Sequence, residues 1–236
     1  MGTKHLLFSI FIVAMIFSSG CATTPALSFA SNEKPKPEEI QNSRIVDKSF
    51  DDVWDKLVGN LATQFYVINN IDKESRLINV SFSTDTPENY VTGGVTRREL
   101  KGKEGTTEFT YDPAAKATFV HTYKWGVYKN LPAEALVTRT PSLGGRANVY
   151  VAPHEDGTIV TVNARFIIKV SITGTYTAKN AFGGVQDAGR LTPSTASASF
   201  NTNIPTTVTW ESVGEPETVT FQSLGVFESD ILAMAH

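Results

Sequence analysis

Chemistry needs groups that converge, and this chain offers few that could. Its four histidines are His5, His121, His154 and His236. His121 lies inside an alternating strand pattern and His154 in a turn. No HExxH and no histidine pair at helical spacing occurs, so the pattern speaks against a zinc site. The only cysteine is Cys21, which excludes an intramolecular disulfide and a thiolate metal cage. A serine nucleophile elbow would read G-x-S-x-G, and none is present. Gly93-Gly94, Gly144-Gly145 and Gly183-Gly184 lead into neither Lys-Ser/Thr nor a helix start. They read as turns or bulges rather than phosphate cradles. Carboxylates are plentiful, with Asp+Glu at 24. A pair could meet in space without showing it in sequence, which leaves a carboxylate-dependent hydrolase open as the lesser alternative.

Two further groups bear on recognition. Arg97, Arg98, Lys101 and Lys103 form a short basic cluster, read as a solvated loop in preference to a phosphate or headgroup site. Tyr123, Trp125 and Tyr128 accompany Lys124 and Lys129 before Leu131-Pro132. Tyr123 and Trp125 share one strand face, and aromatic residues in such a setting anchor recognition surfaces. They also fill sheet cores, so the patch carries both readings. With Lys+Arg 21 against Asp+Glu 24, the net charge of −3 gives no electrostatic case for nucleic acid. No cofactor is expected.

The elements that would position these residues follow from periodicity. At 41% hydrophobic and 19% charged, the composition is that of a globular chain. Phe50, Val53, Trp54, Leu57, Val58 and Leu61 recur at helical spacing. Ser49 is a natural N-cap, with Asp52 three residues on and Asp51 also in the first turn. Capping explains these acids better than a metal cluster does. After this helix the period changes to two. Strands are predicted at 65–71, 77–83, 107–111, 117–128, 147–152 and 158–172, with a hairpin turn at His154-Glu155-Asp156-Gly157. Val160, Val162, Ala164, Phe166, Ile168 and Val170 mark a buried face, while Thr161, Asn163, Arg165 and Lys169 face outward. Residues 180–199 read as a long mobile loop rich in small residues. Weak strands follow near 206–210 and 218–221. A short helix over 223–235 would bury Leu224, Phe227, Ile231 and Leu232. The expected class is α+β, an antiparallel sheet packed by an N-terminal amphipathic helix and a short C-terminal one.

The N-terminus adds a location. Lys4 precedes an uncharged apolar run from Leu6 to Phe17. As a helix it would reach about 18 Å, short of the roughly 30 Å hydrocarbon core. That length suits a signal peptide better than a membrane span. Ser18-Ser19-Gly20 before Cys21 resembles the lipobox of bacterial lipoproteins, although the family usually has Leu where Ser18 stands. The resemblance implies cleavage after residue 20 and lipidation of Cys21. With Ala22 next and no Asp there, it implies sorting to the outer membrane, facing the periplasm. Residues 21–43 hold Pro25, Pro35 and Pro37 and read as a flexible tether, about 70 Å long if extended. Residues 44–236 then make a single domain.

Phe50-Asp51-Asp52-Val53-Trp54-Asp55-Lys56-Leu57, followed by Val67 to Ile78, is similar to the opening of helix-grip domains in BamC-like (NlpB/DapX-type) bacterial lipoproteins. That likeness covers about 35 residues of the domain and carries over no functional residue. It implies a helix-grip-like fold and a place in the cell envelope, whereas BamC has two such domains and this chain has room for one. The leading expectation is a non-catalytic accessory module, held to the membrane through Cys21 and bound to another envelope protein. The alternative is a lipoprotein that binds a small ligand or glycan in a groove between helix 49–64 and the sheet.

Overall fold

Apolar residues spaced two apart dominate the chain beyond residue 66, and strands dominate the structure. The computed structural model describes residues 27–102, 105–128, 131–179, 184–213 and 215–236. In chain order these form β1 (Leu27–Glu33), β2 (Ser43–Val46), α1 (Phe50–Thr63), β3 (Val67–Asp72), β4 (Leu77–Thr84) and, after a single 3-10 turn, β5 (Val91–Thr92). There follow β6 (Val95–Gly102), β7 (Gly105–Tyr111), β8 (Ala117–Tyr128), β9 (Leu131–His154) and β10 (Gly157–Lys179). The last elements are β11 (Val185–Arg190), β12 (Ser194–Asn201), β13 (Thr206–Ser212), β14 (Glu215–Ser223) and α2 (Val226–Ala233). The class is α+β: mostly antiparallel sheet, with two short helices.

The hairpin β9–β10 is the spine. Its register runs from Gly157 opposite His154 to Ala178 opposite Ala133 without a slip. Gly157 has φ +127°, and a Cβ there would stand 2.2 Å from the Val46 carbonyl oxygen, so the turn requires glycine. β9 is flanked by β4 near the turn and by β8 farther out. β10 takes β2, β12 and β11 in succession on its other side. β3 pairs with the free side of β4.

The alternation along β10 is as expected, with Val160, Val162, Ala164, Phe166, Ile168 and Val170 all buried. Both helices cover this inner face. α1 begins at its Ser49 cap, whose hydroxyl accepts from the Asp52 amide at 3.3 Å and donates to the Asp52 carboxylate at 2.6 Å. Its Val53, Trp54, Leu57 and Leu61 are buried, so the groove expected between helix and sheet is filled by the helix itself. From α2, Phe227 meets Phe82 at 4.4 Å, Tyr66 at 5.5 Å and Phe166 at 6.0 Å between ring centres. Asn60 donates to the Met234 carbonyl at 2.7 Å and ties the helices together.

Four expectations need correction. Part of the stretch read as tether is folded, because β1 pairs with β6 over its whole length. Farther on, the Ile40 amide donates to Asn203 at 2.7 Å, and Asn203 donates back to the Ile40 carbonyl at 3.0 Å. Main-chain pairing of this kind leaves no apolar period to read. The second correction concerns 180–199, read as a mobile loop: β11 and β12 lie within it and beyond, with Ala198 and Phe200 buried, while 180–183 fall outside the described residues. Leu224 is 44% exposed, because it precedes the helix that starts after Gly225. Gly144-Gly145 lies in regular strand, and a Cβ on Gly145 would meet the Phe82 ring at 2.2 Å.

Two smaller sheets, β1-β6-β7 and β13-β14-β5, complete the fold. Phe227→Ala is expected to lower unfolding free energy by about 3–5 kcal/mol in denaturant titration. Leu224→Ala should change it by no more than about 0.5 kcal/mol.

Candidate functional site

Of the residues singled out in sequence, Cys21 lies outside the described residues. Tyr123, Trp125 and Tyr128 have their backbone in β8, with Tyr123 opposite Ala133 and Tyr128 opposite Leu131. Their side chains lie outside the described part. His154 is in the β9–β10 turn, where its Nδ1 accepts from the Asp156 amide at 3.2 Å. Among the described residues no group of three or more His, Cys, Asp or Glu side chains converges as metal ligands would.

The basic cluster is not a solvated loop. Arg97, Arg98 and Lys101 lie in β6, where Arg97 pairs with Glu108 at 2.9 Å and Lys101 with Glu99 at 3.2 Å. Lys103 lies outside the described residues. Arg98 turns inward and is 2% exposed. Its Nη2 donates to Glu217 Oε2 at 3.2 Å and to the Ser212 hydroxyl at 3.2 Å, and its Nε donates to the Tyr111 hydroxyl at 2.9 Å. From β9, Arg139 Nη1 donates to Glu217 Oε1 at 2.7 Å and Oε2 at 2.9 Å, and to Tyr111 at 3.1 Å. Aromatic faces close the cluster: the Arg98 guanidinium lies 4.3 Å from the Phe119 ring centre, and that of Arg139 5.1 Å from Tyr111. Arg98 Nη1, Arg139 Nε and Arg139 Nη2 have no hydrogen-bond partner among the described residues.

Electrostatics follow from this geometry. Burial pushes the Glu217 carboxyl up, but the Arg139 and Arg98 guanidiniums outweigh it and hold the group below its ordinary 4.5. His121, buried on β8, is pushed down to about 4 by burial and by the charge of Arg98. The other fully buried carboxylate described, Glu228, accepts from the Thr202 hydroxyl at 2.7 Å and from Ser223 at 3.2 Å. Both acids are thus committed to donors of their own chain.

The second constellation lies on the opposite, outward face of the main sheet, which neither α1 nor α2 covers. Cross-strand partners stand side by side on one face. The register places Asn70 beside Asn79, Asn79 beside Asn148, and Asn148 beside Asn163. Asn42 extends the row, donating to Asn163 Oδ1 at 3.0 Å, while Asn79 donates to Asn148 Oδ1 at 2.6 Å. One row along, Arg146 stands directly opposite Arg165, both exposed, with Ser81 and Asn201 on either side. On the other side of the asparagines lies the row of Leu77, Tyr150 and Thr161. Beyond the arginines, a shallow groove is lined by Ser83, Thr84, Asp85, Ser142, Ile167 and Lys169.

These two groups differ in what they can do. The buried cluster joins strands from three sheets and is closed to solvent. The open face presents amides, hydroxyls and cations on a rigid sheet and suits binding. Sequence reading found Asn163, Arg165 and Lys169 as outward residues but not the rows. Each asparagine is an ordinary outward polar residue until the register aligns it with the others.

Glu217→Gln, which removes the charge facing two buried cations, is expected to cost about 3–5 kcal/mol of stability in denaturant titration. His121 sets a separate pH response. The unfolded ring takes a proton near 6.5, while the folded ring refuses it until about 4. Between those values the unfolded state binds more protons, so stability rises with pH and is lost as pH falls toward 4. Unfolding curves across this window should show that slope in the wild type and a flatter one in His121→Gln.

Compared with protein-family models, curated proteins and solved structures, the chain matches none.

Proposed function

We propose that this chain is a lipid-anchored, non-catalytic binding module of a bacterial cell envelope, and that the uncovered face of its main sheet is the working surface. The observation that carries the reading is the disposition of the layers. Both helices pack on the inner face, and the outward face is left as ordered rows of polar side chains. A binding surface on strands is held more rigidly than one on loops. The succession of a capped helix, antiparallel strands and a closing helix is consistent with a helix-grip-like arrangement. The lipobox-like run before Cys21 supports anchoring at the outer membrane, facing the periplasm. A thioether-linked diacylglycerol plus an N-acyl chain would bury many CH₂ groups at about 0.8 kcal/mol each, which is stable anchoring.

One partner class for this surface is another envelope protein. A second reading, a glycan ligand, draws on the asparagine row, because amides and hydroxyls match the hydroxyl groups of sugars. The exposed ring of Tyr150, 40% accessible beside that row, adds a flat apolar surface.

The reading is tested in intact cells with a photo-crosslinking residue at Ser199, on the open face, or at Lys56, on the outer side of α1. Adducts that form from Ser199, are absent from Lys56 and disappear in Cys21→Ser are the expected result. Equal adducts from both positions, or adducts unchanged by Cys21→Ser, would overturn it.

A further inference from the structure

The open face has a chemical bias that narrows what it binds. At its centre, on β9 and β10, Asn148 and Asn163 stand side by side, and Arg146 and Arg165 stand side by side one row away. All four are exposed. The two arginines face each other at roughly 5 Å between Cβ atoms, an arrangement in which like charges destabilise a sheet. Among the described residues neither arginine takes part in an ion pair, although the protein as a whole carries a net charge of −3. Both guanidiniums are therefore exposed with no ion-pair partner among the described residues, which leaves them available to an acidic ligand.

The asparagines point the same way. Asn79 donates to Asn148 Oδ1 and to the Ala147 carbonyl, and Asn42 donates to Asn163 Oδ1 and to the Val162 carbonyl. The outer pair therefore takes up one of the two acceptor sites on each inner oxygen. The Nδ2 hydrogens of Asn148 and Asn163 and the two guanidiniums of the neighbouring row outnumber the acceptor sites left on the inner oxygens. A patch dominated by donors selects a ligand dominated by acceptors.

We propose that the Asn148–Asn163–Arg146–Arg165 block is an anion-recognition site for an acidic glycan, one bearing carboxylate or comparable acidic groups on a sugar chain. This rests on the binding-module reading above and names the ligand class of the same face. A protein interface of standard size has an apolar centre depleted of charge, whereas the centre here is polar and charged. Binding to an anionic lipid surface draws on clusters of four to eight basic residues, as a general rule, and this block has two. A sugar chain needs neither: its hydroxyls reach the amide row and its acidic groups the arginines.

The test uses the full chain in neutral detergent, titrated calorimetrically with polygalacturonate oligosaccharides and with neutral gluco-oligosaccharides of the same length. Binding of the acidic chain at least ten-fold tighter than the neutral one, weakened by added salt, is expected. The double variant Arg146→Gln/Arg165→Gln should lose at least ten-fold of that affinity without a fall in melting temperature, because a repulsive pair has been removed. Asn79→Ala, which frees the Asn148 acceptor, should weaken binding several-fold while both arginines stay in place. Equal binding of neutral chains, or a double variant that binds unchanged, would overturn the proposal. So would binding to phosphatidylglycerol vesicles without binding to the saccharide, which would assign the face to a lipid surface. If the saccharide fails while crosslinks from Ser199 still depend on Cys21, the acidic glycan is wrong and the binding module stands. If those crosslinks are lost as well, both are wrong.

Discussion

One buried carboxylate organises this protein. Glu217, on β14, is held by Arg98 from β6 and Arg139 from β9, so that a strand from each of three sheets contributes one member. Two guanidiniums and one carboxylate leave a positive charge in the interior, where an isolated ion is costly. The faces of Phe119, Tyr111 and Trp210 take up part of it through cation–π contacts, and the Tyr111 hydroxyl bridges both arginines. Such a cluster adds little net stability compared with a well-packed apolar joint. Its effect is on geometry: guanidiniums and a carboxylate tolerate few relative positions, and the two small sheets must sit where all three side chains can meet. His121, neutral beside Arg98, belongs to the same interior and makes the joint sensitive to mild acid.

With the small sheets held in this way, the long hairpin β9–β10 carries the rest of the layering. Its inner residues receive both helices, and Phe227 serves as the contact point where α2 meets β4, β10 and Tyr66, the residue before β3. Its outer residues are covered by neither helix. A sheet with one wet face is common, and most such faces are mixtures of charge that satisfy themselves. This one is not self-satisfied, because two arginines oppose each other across the hairpin and the amides beside them are turned by their neighbours. The open face and the ion cluster are therefore opposite cases of arginine placement. One pair is neutralised in part by its own chain and fixes structure, and the other is exposed with no ion-pair partner among the described residues.

Much of this was legible from residue order. Ser49 with Asp52 announced the start of α1, and the apolar stripe from Phe50 to Leu61 placed its buried side. The alternation from Val160 to Val170 gave β10 its faces, and His154 to Gly157 its turn. What escaped did so for physical reasons. β6 buries Thr96 and Arg98, so its inward positions are polar and its period is hidden; the partner that makes Arg98 a core residue comes 119 positions later. β12 alternates Ala with Ser, a pattern too weak in hydrophobic contrast to stand out until Phe200. β1 is held by main-chain pairing, which side-chain patterns do not record. The asparagine row depends on the register of four strands drawn from residues 70 to 163, and no local window contains it.

Side-chain footprinting by hydroxyl radicals, comparing the protein in membranes of the cells that express it with the protein purified in detergent, bears most directly on the account. Tyr150, Leu77 and Ile167 report on the open face, and Phe65 and Leu224 on the helix side; all five are at least 40% exposed. If the uncovered sheet face is the working surface, the first three lose reactivity in the native membrane while the other two keep it. Uniform reactivity in both preparations, or protection confined to Phe65 and Leu224, would contradict the account.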